Sequence, residues 1–182
     1  MNNNYYVRRF FPVIVQTLYK SKGGSGMKDR LKILFVCHGN ICRSPMAESY
    51  FTWLVREQGL SDRFLIASAA TRTDEIGNPP HYGTREKLAR EGVPLVPHRA
   101  RLLTRADGDA FDFIFGMDEE NLRDMRRILG ACPARVALLL GETLHPRAIA
   151  DPWYTGNFDE TFSDIAEGCR AFLASLEQKG IV

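Results

Sequence analysis

At 182 residues the chain is long enough for one domain with a sizeable core. Its 45% hydrophobic and 25% charged residues are ordinary globular values, which exclude wholesale disorder and a bundle of membrane-spanning helices. A formal net charge of +2, with basic residues scattered rather than gathered in an aromatic-laced stripe, excludes a nucleic-acid partner.

Four cysteines, Cys37, Cys42, Cys132 and Cys169, are too few for the disulfide framework of a small secreted domain. They also lack zinc-ligand spacing, since no His pair stands near Cys37 and Cys42. A reducing compartment and no structural metal are expected.

Residues 1–26 differ in character from the rest, running from Asn2, Asn3 and Asn4 through Arg8-Arg9 to the linker-like Lys22-Gly23-Gly24-Ser25-Gly26. The apolar stretch between Phe10 and Tyr19 contains Pro12 and Gln16 and falls far short of the roughly 20 residues a bilayer span needs. No small-residue cleavage site follows it, so export is not expected. Residues 1–26 are expected to be an extension without catalytic consequence, either a flexible tail or sequence upstream of a true start at Met27. The domain proper is then residues 27–182, cytoplasmic and without a membrane anchor. An intact Met1 in the native protein, read by N-terminal mass spectrometry, would exclude the start at Met27.

From Lys32 onward, short apolar runs alternate with amphipathic stretches, the pattern of a parallel sheet covered by helices on both faces. In chain order the expected elements are a strand at 32–36, a helix at 45–57, a strand at 64–69, a helix at 84–90, a strand at 113–115, a helix at 119–129, a strand at 136–140 and a helix at 159–178. The fold class is therefore α/β, a four-stranded parallel sheet in a three-layer α/β/α arrangement. In the last helix Phe162, Ile165, Ala166, Cys169, Phe172, Leu173 and Leu176 recur at three and four, marking one buried stripe, so Cys169 reads as core. The long loop at 141–157, rich in Pro, Gly and aromatic residues, is a candidate for function.

The chemistry is concentrated in residues 32–45, Lys-Ile-Leu-Phe-Val-Cys-His-Gly-Asn-Ile-Cys-Arg-Ser-Pro. An apolar strand runs into a compact loop, and Ser44-Pro45 opens a helix, with Ser44 suited to the N-cap and Pro45 to the first helical position. A helix N-terminus gathers orphan backbone N–H groups and the positive end of the helix dipole, which favours a phosphate dianion. Gly39 and Asn40 can take the left-handed conformations that turn successive N–H groups inward around an anion, so a phosphate-binding loop is expected after the first strand, built from His38, Gly39, Asn40, Ile41, Cys42 and Ser44.

Cys37 stands at the carboxyl end of the first strand, where open parallel sheets place their ligands. A thiol attacks as thiolate, and a helix N-terminus with a nearby arginine favours that form. Arg43, six positions on, can return across the loop and bind two phosphate oxygens with its planar fork. Ser44 can donate a hydrogen bond to the sulfur. Cys42 admits two readings, packing or a partner for a reversible disulfide with Cys37.

These residues resemble the low-molecular-weight protein tyrosine phosphatase family, whose signature is a C-x5-R-S-P loop near the N-terminus and a distant Asp-Pro. The likeness runs from Met27 to the C-terminus and includes Ser68-Ala69-Ala70-Thr71, Gly77-Asn78-Pro79, His98-Arg99-Ala100-Arg101, Met117-Asp118-Glu119-Glu120-Asn121 and Asp151-Pro152-Trp153-Tyr154. The resemblance implies a four-stranded parallel sheet, a phosphatase domain at 27–182, and Asp151 as general acid, the group a phenolate leaving group requires. It also implies that Trp153 and Tyr154 wall the phenyl slot and that His98 holds the phosphate loop through Asn40, with Ser68 in a similar supporting place. Many relatives carry a tryptophan where this chain has Asp74 and Glu75, acids at the pocket rim that would disfavour acidic peptides.

The implied activity is hydrolysis of phosphotyrosine in proteins, by a monomer, with Cys37, Arg43 and Asp151 as catalytic residues, a phosphocysteine intermediate and no metal or cofactor. Protein-arginine phosphatase activity on the same scaffold is the nearest rival. Arginine-directed relatives tend to have threonine where this loop has Ile41, and an apolar branched residue there favours an aromatic ring. Arsenate reductase needs a closely spaced downstream cysteine pair, which Cys132 and Cys169 are not. A non-catalytic phosphate-binding module would not keep Cys37, Arg43 and Asp151 together.

Overall fold

Strands β1 (Leu31–Cys37), β2 (Phe64–Ala70), β3 (Phe113–Gly116) and β4 (Arg135–Leu138) form one sheet in the order β2-β1-β3-β4. All three pairings are parallel, with Cys37 opposite Ala70 and Val36 opposite Gly116. The computed structural model describes residues 30–141 and 143–182, so the boundary expected between residues 26 and 27 lies outside the described residues.

The helices are α1 (Arg43–Glu57), α2 (Tyr82–Arg90), α3 (Asp107–Ala110), α4 (Glu119–Leu129), α5 (Pro152–Thr155) and α6 (Phe158–Gln178), with a 3-10 turn at Ser61–Arg63. Alternate residues of β1 explain the layers. Ile33, Phe35 and Cys37 face a core built with Met46 and Phe51 of α1 and Ile165, Cys169 and Phe172 of α6. Leu34 and Val36 face the opposite way, against Met125 and Leu129 of α4. A strand buried on both faces has no polar side to show, which is why β1 reads as a continuous apolar run. The stripe expected on the last helix is borne out, with Ile165, Ala166, Cys169, Phe172, Leu173 and Leu176 all buried and Phe162 packed beside them.

Three details differ from expectation. The last strand ends at Leu138 rather than residue 140, because the chain turns there and Gly141 N–H bonds the Leu138 carbonyl at 3.1 Å. Leu139 and Leu140 leave the sheet but stay in the core. The short helices α3 and α5 fall inside segments expected to be loop. The first helix begins at Arg43, with Cys42 at the N-cap and no side-chain cap bond. Ser44 is therefore inside the first turn, and Pro45 is the third helical residue. Its missing N–H still costs nothing there, since the first four N–H groups of a helix have no intrahelical partner.

Because β1 connects to β2 on one side and β3 lies on the other, the chain changes direction at the carboxyl ends of β1 and β3. Open α/β sheets leave a crevice at such a point. The loop after β1 and Asp118 after β3 both open into it.

Candidate active site

The loop from Cys37 to Arg43 is shaped by one left-handed residue, Asn40, at φ 57°. Asparagine tolerates that region better than most residues. Gly39, expected to share it, does not have a positive φ. Its lack of a side chain serves a close approach instead, since a Cβ there would lie 3.0 Å from Glu75 Cγ.

Asn40 is held on every side. Its Nδ2 donates to Ser44 Oγ and to Ser68 Oγ, each at 2.8 Å, and its Oδ1 accepts from Arg101 N–H at 3.1 Å. His98 Nε2 lies 2.8 Å from the Asn40 carbonyl. A carbonyl only accepts, so Nε2 carries the proton. Behind them Glu48, itself buried, takes the Ser68 hydroxyl at 2.5 Å and sits 3.5 Å from His98 Nδ1. Four groups thus fix a conformation that would otherwise be unfavourable, and a buried polar network of this kind is rigid because each member is satisfied.

Cys37 is buried, with Sγ 3.1 Å from Ser44 Oγ. Displacement of Ser44 from the cap position into the first helical turn is what leaves its hydroxyl free for both Cys37 and Asn40. Burial, and then the neighbouring Cys37, push the Cys42 thiol up to about 12. Cys42 is therefore protonated at neutral pH, which separates it from an attacking thiolate. It packs with Ile41, Ala100 and Phe158, and both Cys37 and Cys42 are free thiols.

Arg43 is 2% exposed and clasped by two carboxylates. Nη1 donates to Asp118 Oδ2 at 2.5 Å and to the Ile149 carbonyl at 3.1 Å, while Nη2 donates to Asp151 Oδ2 at 2.5 Å. Burial opposes the guanidinium charge, but Cys37, Asp151 and Asp118 together outweigh it and hold Arg43 above its ordinary value. Among the described residues its buried Nε has no hydrogen-bond partner. Asp118 caps α4 by accepting Asn121 N–H at 2.7 Å, and Asp151 caps α5 by accepting Trp153 N–H at 3.1 Å. Each carboxylate is thereby aimed by a helix start.

A cavity of about 220 Å³ sits over the loop, lined by Cys37, His38, Gly39, Ile41, Cys42, Asp74, Glu75, Asp151, Trp153 and Tyr154. Every lining residue is among those expected from the sequence, and Asn40, Arg43, Ser44, Ser68 and His98 stand immediately behind. Sequence reasoning missed Glu48, Asp118 and Arg101. The signal for Glu48 was a charged residue four positions after Ser44 on the buried side of α1. That for Asp118 was an N-cap residue at the carboxyl end of the strand beside β1. Among the described residues no group of three or more His, Cys, Asp or Glu is placed to hold a metal ion.

A model of the family described as "Low molecular weight phosphotyrosine protein phosphatase" matches residues 32–181. The chain belongs to that family. The Bacillus subtilis low molecular weight protein-tyrosine-phosphatase YfkJ is 41% identical over 82% of this chain and 97% of its own length. Its crystal structure aligns with a TM-score of 0.80 over 86% of this chain and 99% of that one. The human low molecular weight phosphotyrosine protein phosphatase is 42% identical over 78% of this chain and 92% of its own. A Drosophila arginine phosphatase is also a structural neighbour, with 31% identity and a TM-score of 0.72 over 80% of this chain and 97% of that one.

In this low molecular weight phosphatase the cavity has two unlike sides. Trp153 and Tyr154 stand exposed on one side. On the other, Asp74 lies 3.5 Å from His38 Nε2, and Glu75 Oε2 accepts from Asn78 Nδ2 at 2.7 Å.

Proposed function

We propose that the chain hydrolyses phosphotyrosine in proteins through a phosphocysteine at Cys37. The observation that carries this is a nucleophile at the floor of a narrow cavity, with a carboxylic side chain on its wall and aromatic rings at its mouth. A phenyl phosphate has the length and flat shape to reach such a floor.

In the free site Asp151 is paired with Arg43. A phosphate dianion entering beside Cys37 competes for the same guanidinium. Binding thus releases Asp151 from Arg43 to face the leaving oxygen. The Cys37 thiolate attacks phosphorus as the P–O bond to the phenol breaks, and Asp151 gives its proton to the departing oxygen. Arg43 and the loop N–H groups hold the charge on the equatorial oxygens. In the second step Asp151 takes a proton from water, the water oxygen attacks phosphorus, and the S–P bond breaks with Ser44 donating a hydrogen bond to the leaving thiolate.

Arginine-directed activity is the second reading, supported by the Drosophila neighbour and by the acids Asp74 and Glu75, which suit a guanidinium. Tyrosine is favoured because Ile41 gives the slot an apolar wall and the relatives near 41–42% identity carry tyrosine-phosphatase names. The test is turnover of matched phosphotyrosine and phosphoarginine peptides. A larger kcat/KM for phosphotyrosine is expected, and a strong preference for phosphoarginine would replace this reading.

A further inference from the structure

A second groove, of about 450 Å³, lies beside the catalytic cavity between the start of α2 and residues 152–159. The two share one wall, Trp153. The volume is about twice that of the catalytic cavity and within the range of functional ligand sites. Its floor is fastened to the phosphate loop: His81 N–H bonds the Ile41 carbonyl at 2.8 Å and Thr84 Oγ1 bonds the Cys42 carbonyl at 3.2 Å. Groove and phosphate loop are thus held in a fixed relation. The groove depends on Gly83, where a Cβ would fall 2.5 Å from the Phe158 ring, a ring stacked on His81 at 5.3 Å.

Three charged residues line the groove, Glu86, Arg90 and Asp159. Arg90 pairs with Asp159 at 2.9 Å, and Lys87 bonds Asp159 at 2.7 Å. Glu86 is exposed and makes no ion pair among the described residues. Tyr82 and Trp153 are 66% and 56% exposed, and large rings left open to water beside a carboxylate offer cation–π and charge contacts to one incoming cation. On the cavity side of Trp153, Asp74 and Glu75 extend the same negative character.

We propose that this groove is a substrate subsite that seats the polypeptide flanking the phosphotyrosine and selects a basic side chain through Glu86, Tyr82 and Trp153. The occupant follows from continuity: a phosphotyrosine with its ring in the cavity leaves its main chain at the mouth, beside the shared wall. The inference rests on the phosphotyrosine reading above.

The test compares three substrates on the full chain: free phosphotyrosine, a phosphotyrosyl peptide with arginines beside the phosphotyrosine, and the same peptide with aspartates there. The expected result is a kcat/KM for the arginine peptide at least about fivefold above the aspartate peptide, shrinking as salt is raised. Glu86→Lys should reverse or abolish the preference, and Tyr82→Ala should reduce it, with free phosphotyrosine turned over as before. If Tyr82→Ala also impairs free phosphotyrosine, Glu86→Lys on its exposed helix surface decides. Equal turnover of both peptides, or a preference that survives Glu86→Lys, would overturn the subsite. Failure to hydrolyse free phosphotyrosine at all would instead overturn the phosphotyrosine reading on which it stands.

Discussion

Asp151 is the residue whose two partners define its work. In the free site it is tied to Arg43 and to the start of α5. Asp151→Asn keeps the cap, which an amide oxygen also makes, but removes the proton. Turnover is expected to fall by about 10²- to 10⁴-fold for phenols of high pKa and far less for a very acidic phenol. An equal loss across a leaving-group series would remove Asp151 from the acid role. Cys37 and Arg43 were legible as candidates because a phosphate loop asks for those residue types at that spacing, whereas Asp151 came only from the family resemblance, since Asp-Pro by itself is an ordinary turn. Glu48 and Asp118 were not legible, because each acts on a residue far away in the chain: Ser68 is 20 positions from Glu48, and Arg43 is 75 from Asp118. Ser44 was read both as a cap and as a partner of the Cys37 sulfur; the cap reading fails because cap rules see residue type alone and the helix begins at Arg43, while the contact with Cys37 is present.

At the scale of elements, the phosphate loop is a left-handed asparagine locked by Ser44 of α1, Ser68 of β2, and His98 and Arg101 of the segment between α2 and α3. His98→Ala removes the donor to the Asn40 carbonyl and leaves that carbonyl without its partner. A net hydrogen bond of about 1 to 1.5 kcal/mol corresponds to roughly a tenfold loss in kcat/KM. Restoration of most of that loss by His98→Gln, which can still donate, would show that the hydrogen bond and not the ring is what matters; no rescue would favour packing. The element pattern itself was largely legible, since apolar runs and amphipathic stretches alternate without ambiguity. The two helices that escaped, α3 and α5, are each four residues long, too short for any periodicity. Their signals are local: Asp151-Pro152 is a cap followed by proline at N1, and Gly156 closes α5 in a left-handed conformation at φ 68°.

Across the whole molecule, the site depends on contacts that tie distant parts together. Phe172 of α6 packs on Phe113 and Phe115 of β3 with ring centroids 5.0 and 4.8 Å apart, and on Phe51 of α1 at 5.8 Å. Phe172→Ala is expected to cost about 3 to 5 kcal/mol and to lower Tm by roughly 10 °C, read by thermal unfolding; a change of a degree or two would mean that this junction is not a principal part of the core. Acid sensitivity has a specific source on the other side of the sheet. Asp107 accepts from both Nη atoms of Arg101 and from Thr104 N–H and Oγ1, at 2.8 to 3.1 Å. Burial would raise its carboxyl, but the bonds from Arg101 and Thr104 win and hold it below the ordinary value. Its stabilisation is therefore present above the unfolded carboxyl value of about 3.9 and is lost as pH falls through the lower folded one. Asp107→Asn should lower stability to urea by about 1 to 3 kcal/mol at pH 7, with the gap to the wild type closing as pH drops below about 4. A gap that stays constant with pH would contradict the linkage. Because Arg101 N–H also holds Asn40, the same variant should weaken phosphate binding at neutral pH.

The most direct measurement is to mix the Asp151→Asn variant with a substrate carrying radiolabelled phosphate on tyrosine, quench by rapid denaturation and map the label. The expected result is phosphate on the sulfur of Cys37, none on Cys42, and no label in Cys37→Ser. Label on another residue, or sustained turnover by Cys37→Ser, would contradict catalysis through Cys37.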